Sequence, residues 1–261
     1  PETANFTIQA TDSLGNTGSQ GAGGASQATG SVTVTITAVN DTPTITNLSG
    51  DSLSYSEGDG AVVIEQGGNA LVADVDSTNL DTGTLTVSIP AGGDSAEDVL
   101  SIRNQGTGAG QIGVSGSNVT YQGVIIGTVT GGSSGSALVI TLNSSATPTA
   151  VSALVQNITY ENTDTAAPTT GVRTVRYVLT DGDGGTSANY NTTVTVSGVN
   201  DDPIITSNGG GASASISLAE NTTTVTTVSA TDADAGATLT YSIVGGDDAA
   251  KFTIDSITGQ L

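Results

Sequence analysis

The chain has 261 residues and sets 25 Asp and Glu against 4 Lys and Arg, a formal net charge of −21 at pH 7. Such a surface offers no cationic face to nucleic acid or an anionic bilayer. The absence of Cys, His, Met and Trp excludes disulfides, thiolate zinc sites, Ser-His-Asp triads, Cys-His pairs and 2-His-1-carboxylate iron sites.

Pro1 opens directly into a polar stretch with no initiator Met and no signal peptide, which reads as a processed chain or a fragment of a longer one. No apolar run approaches the roughly 18 residues that cross a bilayer, so membrane insertion is not expected. The first predicted strand is Phe6-Thr7-Ile8-Gln9-Ala10-Thr11-Asp12. A long loop over 13–29 leads to Val32-Thr33-Val34-Thr35-Ile36-Thr37, whose period-two alternation marks a half-buried antiparallel strand. Val39-Asn40-Asp41-Thr42-Pro43 follows as a linker, and Thr44-Ile45-Thr46 starts a new strand. Thr84-Leu85-Thr86-Val87-Ser88-Ile89 and Thr193-Val194-Thr195-Val196 alternate in the same way. Gly131-Gly132-Ser133-Ser134-Gly135 and Asp181-Gly182-Asp183-Gly184-Gly185 read as turns, because Gly tolerates positive φ and Asp and Ser cap turns through their side chains. The one helical signal has Thr147 as N-cap, Pro148 at the first helical position and apolar Val151, Leu154, Val155 and Ile158 behind them. It predicts a short helix leading into a strand. With hydrophobic residues at 35% and aromatics at 3%, the core must be thin layers of Val, Ile, Leu and Ala in several small all-β sandwiches.

The linker recurs as Val199-Asn200-Asp201-Asp202-Pro203, again between an alternating strand and a new one, Ile204-Ile205-Thr206. Tyr177-Val178-Leu179-Thr180-Asp181 repeats the first strand. Ser56-Glu57-Gly58 and Ala73-Asp74-Val75-Asp76 return as Ala219-Glu220-Asn221 and Thr231-Asp232-Ala233-Asp234. Two linkers imply three units in tandem, over 1–40, 43–200 and 203–261. The first would supply the last strands of an incomplete sandwich and the third the first part of another. The middle unit is enlarged by extra chain over 91–150.

These segments, together with Phe252-Thr253-Ile254-Asp255 and Thr258-Gly259, resemble the cadherin-like repeats of large bacterial surface proteins and adhesins. The resemblance covers both linkers and 203–261, and more loosely the middle unit through Ile158-Thr159-Tyr160-Glu161-Asn162 and Thr180-Asp181-Gly182-Asp183-Gly184. It implies an all-β chain of tandem Greek-key β-sandwiches, cadherin- or Ig-like, with one short helix in the middle unit. It also implies Ca2+ at each junction. Carried over residue by residue, the second junction would gather Glu57, Glu161, Asn200, Asp201, Asp232 and Asp234. The first would gather Asn40, Asp41, Asp74, Asp76 and Asp181, with Glu2 as a weak addition. All are oxygen donors, the set a hard cation takes in sixes to eights at roughly 2.3–2.6 Å.

Electrostatics leads the same way without the family. Two carboxylates about 5 Å apart repel by roughly 3 kcal/mol at an effective dielectric near 20. Several converging with almost no Lys or Arg to offset them should splay a bare junction, and a cation should lock it. The plain alternative is that the acids only keep the surface soluble. That reading suits Asp51, Asp59, Asp81, Asp94, Asp98, Asp247 and Asp248, which lack a matching pattern, and turn chemistry accounts for Asp183. Asn-x-Ser/Thr sequences are expected by chance in so Thr- and Ser-rich a chain. Carboxylate pairs could serve a glycosidase, but the Tyr residues fall on strands instead of forming sugar platforms, and no enzyme is expected.

The expectation is therefore a calcium-stiffened stalk or filament segment of an extracellular, bacterial cell-surface protein involved in adhesion. Its partners would be neighbouring repeats or identical subunits head to tail. A carbohydrate- or protein-binding module of an adhesin, recognising a cell-surface glycan or protein through 91–150, is the alternative. The partial end units admit two explanations: a window in a longer tandem polypeptide, or a subunit whose open C-terminal sandwich is completed by the N-terminal hairpin of the next.

Overall fold

The computed structural model describes the strands at 2–8 and 30–36 and all of 39–261. The end of the first predicted strand at 9–12, the loop over 13–29 and Thr37 lie outside the described residues. The chain divides into two compact units, Pro1–Asp41 and Thr42–Leu261. The first contains a hairpin of β1 (Glu2–Ile8) and β2 (Gly30–Ile36), paired antiparallel from Glu2↔Ile36 to Ile8↔Gly30.

The second unit begins with β3 (Thr44–Thr46), β4 (Ser52–Ser56), β5 (Val62–Val63), β6 (Leu71–Ala73) and β7 (Thr84–Ala91). It continues through β8 (Asp98–Ile102), β9 (Ile112–Ser115), β10 (Asn118–Tyr121), β11 (Val124–Thr130) and β12 (Leu138–Leu142). Helix α1 (Pro148–Val155) then leads into β13 (Ile158–Asn162), β14 (Gly171–Leu179) and β15 (Tyr190–Ser197). Beyond these come β16 (Ile204–Ile205) and β17 (Ala230–Thr231). An eight-stranded sheet runs in the order β4-β15-β14-β7-β12-β11-β10-β9. Its pairs are antiparallel except for the parallel β15–β4 contact. A second sheet, β5-β13-β8, and the pairs β3–β6 and β16–β17 complete the set.

The alternating segments behave as their period demands. Leu85 and Val87 of β7, and Val194 and Val196 of β15, are buried, while the Thr residues between them face outward or lie half-buried. The extra chain over 91–150 is spent mostly on β8 to β12, four of which widen the main sheet. Tyr55 of β4 and Tyr160 of β13 meet edge to face, with ring centroids 5.0 Å apart. The Tyr55 hydroxyl donates to the Asn162 carbonyl and accepts the Asn162 N–H, which ties the two sheets across a common core.

The helix forms where the capping signal places it. Thr147 Oγ1 accepts the Ala150 N–H at 3.2 Å, Pro148 occupies the first turn, and Ala150, Val151, Leu154 and Val155 are buried. Ser152 Oγ accepts the Val72 N–H and donates to the Pro148 carbonyl, fastening α1 to β6.

One charged pair sits inside the sandwich. Arg173 of β14 is fully buried, and its Nε lies 3.3 Å from Asp98 of β8; Tyr160 also donates to Asp98. The alternation of β14 puts Arg173 on the same face as Val175, Tyr177 and Leu179. Its guanidinium also donates to the carbonyls of Thr169 and Gly171, so each of its three nitrogens has an acceptor.

Candidate metal centre at the second linker

Strand pairing brings acids to the second linker from two directions. The parallel ladder of β4 on β15 ends at Ser56↔Ser197, and the Glu57 N–H bonds the Ser197 carbonyl at 2.9 Å. Glu57 therefore stands where the chain leaves the sandwich, and its Oε2 accepts the Val199 N–H at 2.8 Å. From the other side, β16 follows Pro203 directly and pairs with β17 through Ile204↔Thr231. That register sets the Asp232-Ala233-Asp234 turn beside the linker. Asp232 Oδ1 accepts the Asp234 N–H at 2.9 Å, and Asp234 Oδ2 accepts the Asp201 N–H at 2.7 Å. Asn200 Nδ2 donates to the Asp201 carbonyl.

One oxygen on each of two acids is left over. Glu57 Oε1 and Asp201 Oδ2 are shut off from solvent with no hydrogen-bond partner. The carboxyl of Asp201 is pushed above the usual aspartate range, first by loss of hydration and then by the charges of Glu57, Asp234, Asp232 and Asp202. The structure thus gathers Glu57, Asp201, Asp232 and Asp234, with Asn200 alongside. Asp202 adds its field although the sequence reading passed over it; its adjacency to Asp201 was the available signal. Glu161, expected in the same group, makes its charge felt at the Tyr55 hydroxyl.

The residues expected at the first linker are seen within their own units. Asn40 Nδ2 donates to the Asp41 carbonyl at 3.0 Å. In the second unit, β3 pairs with β6 through Thr44↔Ala73, the counterpart of Ile204↔Thr231. Asp74 Oδ1 accepts the Asp76 N–H at 3.4 Å, so both Asp-x-Asp turns bond alike. Asp74 Oδ2 is enclosed and unpartnered, and burial followed by the neighbouring Asp76 raises the Asp74 carboxyl. Asp181 is fully buried, with Oδ1 accepting the N–H groups of Asp183 and Gly185. It therefore organises its own turn, as Asp side chains commonly do.

Among the described residues, no group of three or more His, Cys, Asp or Glu is set out as a ready metal cage. The second linker instead holds a partly assembled donor set. Backbone N–H groups fix Glu57, Asp232 and Asp234 through one oxygen each, while two buried oxygens lack a proton donor. Carboxylate and amide oxygens suit a hard divalent cation, and the unpartnered pair is chemically what such an ion would satisfy.

No protein-family model matches the chain, and no curated protein matches it in sequence. Among solved structures it is similar to extracellular cadherin domains 1–4 of protocadherin gamma B7, at 20% identity and a TM-score of 0.34. That match covers 89% of this chain and 45% of the other. It is also similar to domains EC22–24 of mouse cadherin-23, at 19% identity and a TM-score of 0.30, over 85% of this chain and 53% of that one. The chain spans about half the length of these two cadherin structures. A third similar structure is the seventh ScaB type I cohesin from Pseudobacteroides cellulosolvens, at 14% identity and a TM-score of 0.29, over 59% of this chain and 92% of the cohesin. Among the described residues, no helix is long and apolar enough to cross a membrane.

Proposed function

We propose that this chain is a segment of an extracellular, bacterial surface stalk or filament whose sandwiches, 43–200 and 203–261, are locked at their shared linker by Ca2+. The hairpin within 1–40 belongs to a preceding sandwich. Copies or neighbouring repeats joined head to tail extend the architecture into a fibre that spaces or displays adhesive modules. The observation that carries this reading is the pair of enclosed, unpartnered oxygens on Glu57 and Asp201, surrounded by further carboxylates. Without a cation these charges push the linker open. With one, Glu57, Asp201, Asp232 and Asp234, joined by Asn200 and Glu161, share a single counter-charge and the angle between sandwiches is held. Magnesium suits the set less well because it retains water and demands a tight octahedron.

A thermal melt with and without calcium, repeated for the Asp232→Asn/Asp234→Asn variant, tests the reading. At about 100 times its dissociation constant the ion adds roughly 2.7 kcal/mol, a rise of several degrees for a unit this size. The variant should show a smaller rise. Equal melts in all four conditions would remove the site.

A further inference from the structure

Away from the linker, the extra chain over 91–150 builds a cavity on the middle sandwich. Two loops wall it, 92–98 and 131–136, and both are fixed in place. The Asp94 N–H donates to Asp98 Oδ2 at 2.7 Å, and the Asp98 N–H returns to the Asp94 carbonyl at 2.9 Å. The Leu100 N–H of β8 bonds the Gly132 carbonyl at 2.7 Å, and the Ser136 N–H bonds the Ser133 carbonyl at 3.0 Å. Ile89 and Leu100 give the cavity an apolar wall and Asp94 and Asp98 an acidic one, while Ser95 and Ser136 line it from exposed positions. Its volume of about 130 Å³ falls short of the roughly 300 Å³ at which pockets for drug-sized ligands begin. It has room for one side chain.

The charge around it is unbalanced. Asp94, Glu97 and Asp98 set three carboxylates beside one guanidinium, that of Arg173. Asp98 is engaged by Arg173, Tyr160 and Asn162, so the excess rests on Asp94 and Glu97. These two share the Thr169 hydroxyl, whose Oγ1 lies 3.2 Å from Asp94 Oδ2 and 3.0 Å from Glu97 Oε1. A hydroxyl has one proton and serves one of these oxygens at a time. The other oxygen then meets it lone pair to lone pair, an arrangement that a cationic donor relieves.

We propose that this cavity takes the ammonium group of a lysine side chain from a partner protein, with the methylene stem along Ile89 and Leu100 and the charge beside Asp94 and Glu97. An ammonium has three rotatable donors at the end of a four-carbon apolar stem, which matches an acidic wall beside an apolar one. The chain's single lysine, Lys251, is paired with Asp248 at 2.7 Å, so the ligand comes from another molecule. The net charge of −21 draws basic partners at long range. This partner chemistry goes beyond the linker reading and does not depend on it.

The full chain, isotope-labelled for amide resonances, is titrated with Nα-acetyl-lysine methylamide and in parallel with Nα-acetyl-norleucine methylamide, which keeps the stem and lacks the charge. The expected result is saturable movement of the Gly93, Ser95, Gly135 and Ser136 resonances by the lysine probe and none by the norleucine probe. Asp94→Asn should weaken the lysine probe by roughly tenfold or more. The asparagine still accepts the Ala96 N–H through Oδ1 and donates to Thr169 Oγ1 through Nδ2, so the loop keeps its bonds and only the charge is removed. Glu97→Gln should act in the same direction. Equal response to the two probes would make the cavity a plain apolar cleft and overturn the proposal, as would the lack of any saturable movement or unchanged binding in both variants. Calcium chloride moving the same resonances at lower concentration than the lysine probe would assign the acids to a metal and overturn it as well.

Discussion

The middle sandwich and the region after Pro203 carry nearly the same alternating sequence and meet different fates. Leu85 and Val87 are fully buried between β14 and β12, whereas Leu239 and Tyr241 are half-buried and Ile243 is exposed. Val244 is 96% exposed and Phe252 45% exposed. Period-two patterning therefore sets which face of a segment is apolar; a strand results only when neighbours supply hydrogen bonds and a surface to cover that face.

The contrast breaks most sharply at the buried pair. Arg173→Ala should destabilise the middle sandwich by about 3–5 kcal/mol, because Asp98 is left charged in the core. Chemical denaturation followed by tyrosine fluorescence measures it, and a loss under 1 kcal/mol would mean that water reaches Asp98. Next in size, Leu85→Ala should cost about 2–5 kcal/mol. Its counterpart Leu239→Ala should change stability by less than about 0.5 kcal/mol in the dilute chain. Denaturant midpoints of both variants make the comparison, and equal losses would show that the C-terminal region already has a closed core. Thr147→Ala removes the cap of α1 and should cost about 1 kcal/mol, read from the same midpoints.

The smallest effect is the pH dependence of the second linker. Asp201 has a folded-state carboxyl raised above its ordinary value of 3.8, so its charged form is disfavoured in the fold. Its contribution is therefore fully present below pH 3.8 and is lost as pH rises through the raised value. Without calcium, the melting temperature of wild type relative to Asp201→Asn should fall across that window. With calcium it should rise instead, because ligation needs the ionised form. A flat difference in both series would separate Asp201 from the linker's charge balance.

Much of this was legible in the sequence because the signals were local. Alternation marked β7 and β15, the Thr147-Pro148 cap marked α1, and the resemblance to cadherin-like repeats implied Glu57, Asp201, Asp232 and Asp234, which lie beside the second linker. The joining of β9, β10, β11 and β12 to the main sheet was not legible, since short strands separated by Gly turns reveal a face but not a partner. The buried ion pair could have been read: the phase of Val175, Tyr177 and Leu179 already turns Arg173 inward, and only the polarity of the residue argues otherwise. The Asp181 turn hid a role of another kind. Gly182 there has φ +92°, and a Cβ would lie 1.9 Å from the Asp81 carbonyl oxygen, so the Asp-Gly pair serves backbone packing as well as turn chemistry.

The parallel contact between β4 and β15 has a consequence under load. The chain enters the middle sandwich through β3, which pairs with β6, runs on into β4 and leaves just after β15, and β4 and β15 lie side by side over five residue pairs, from Ser52↔Thr193 to Ser56↔Ser197. A pull on the two ends drags these strands past each other lengthwise. Their bonds must then yield together in shear instead of unzipping one by one, so once β3 has parted from β6 the load meets a ladder that resists as a unit.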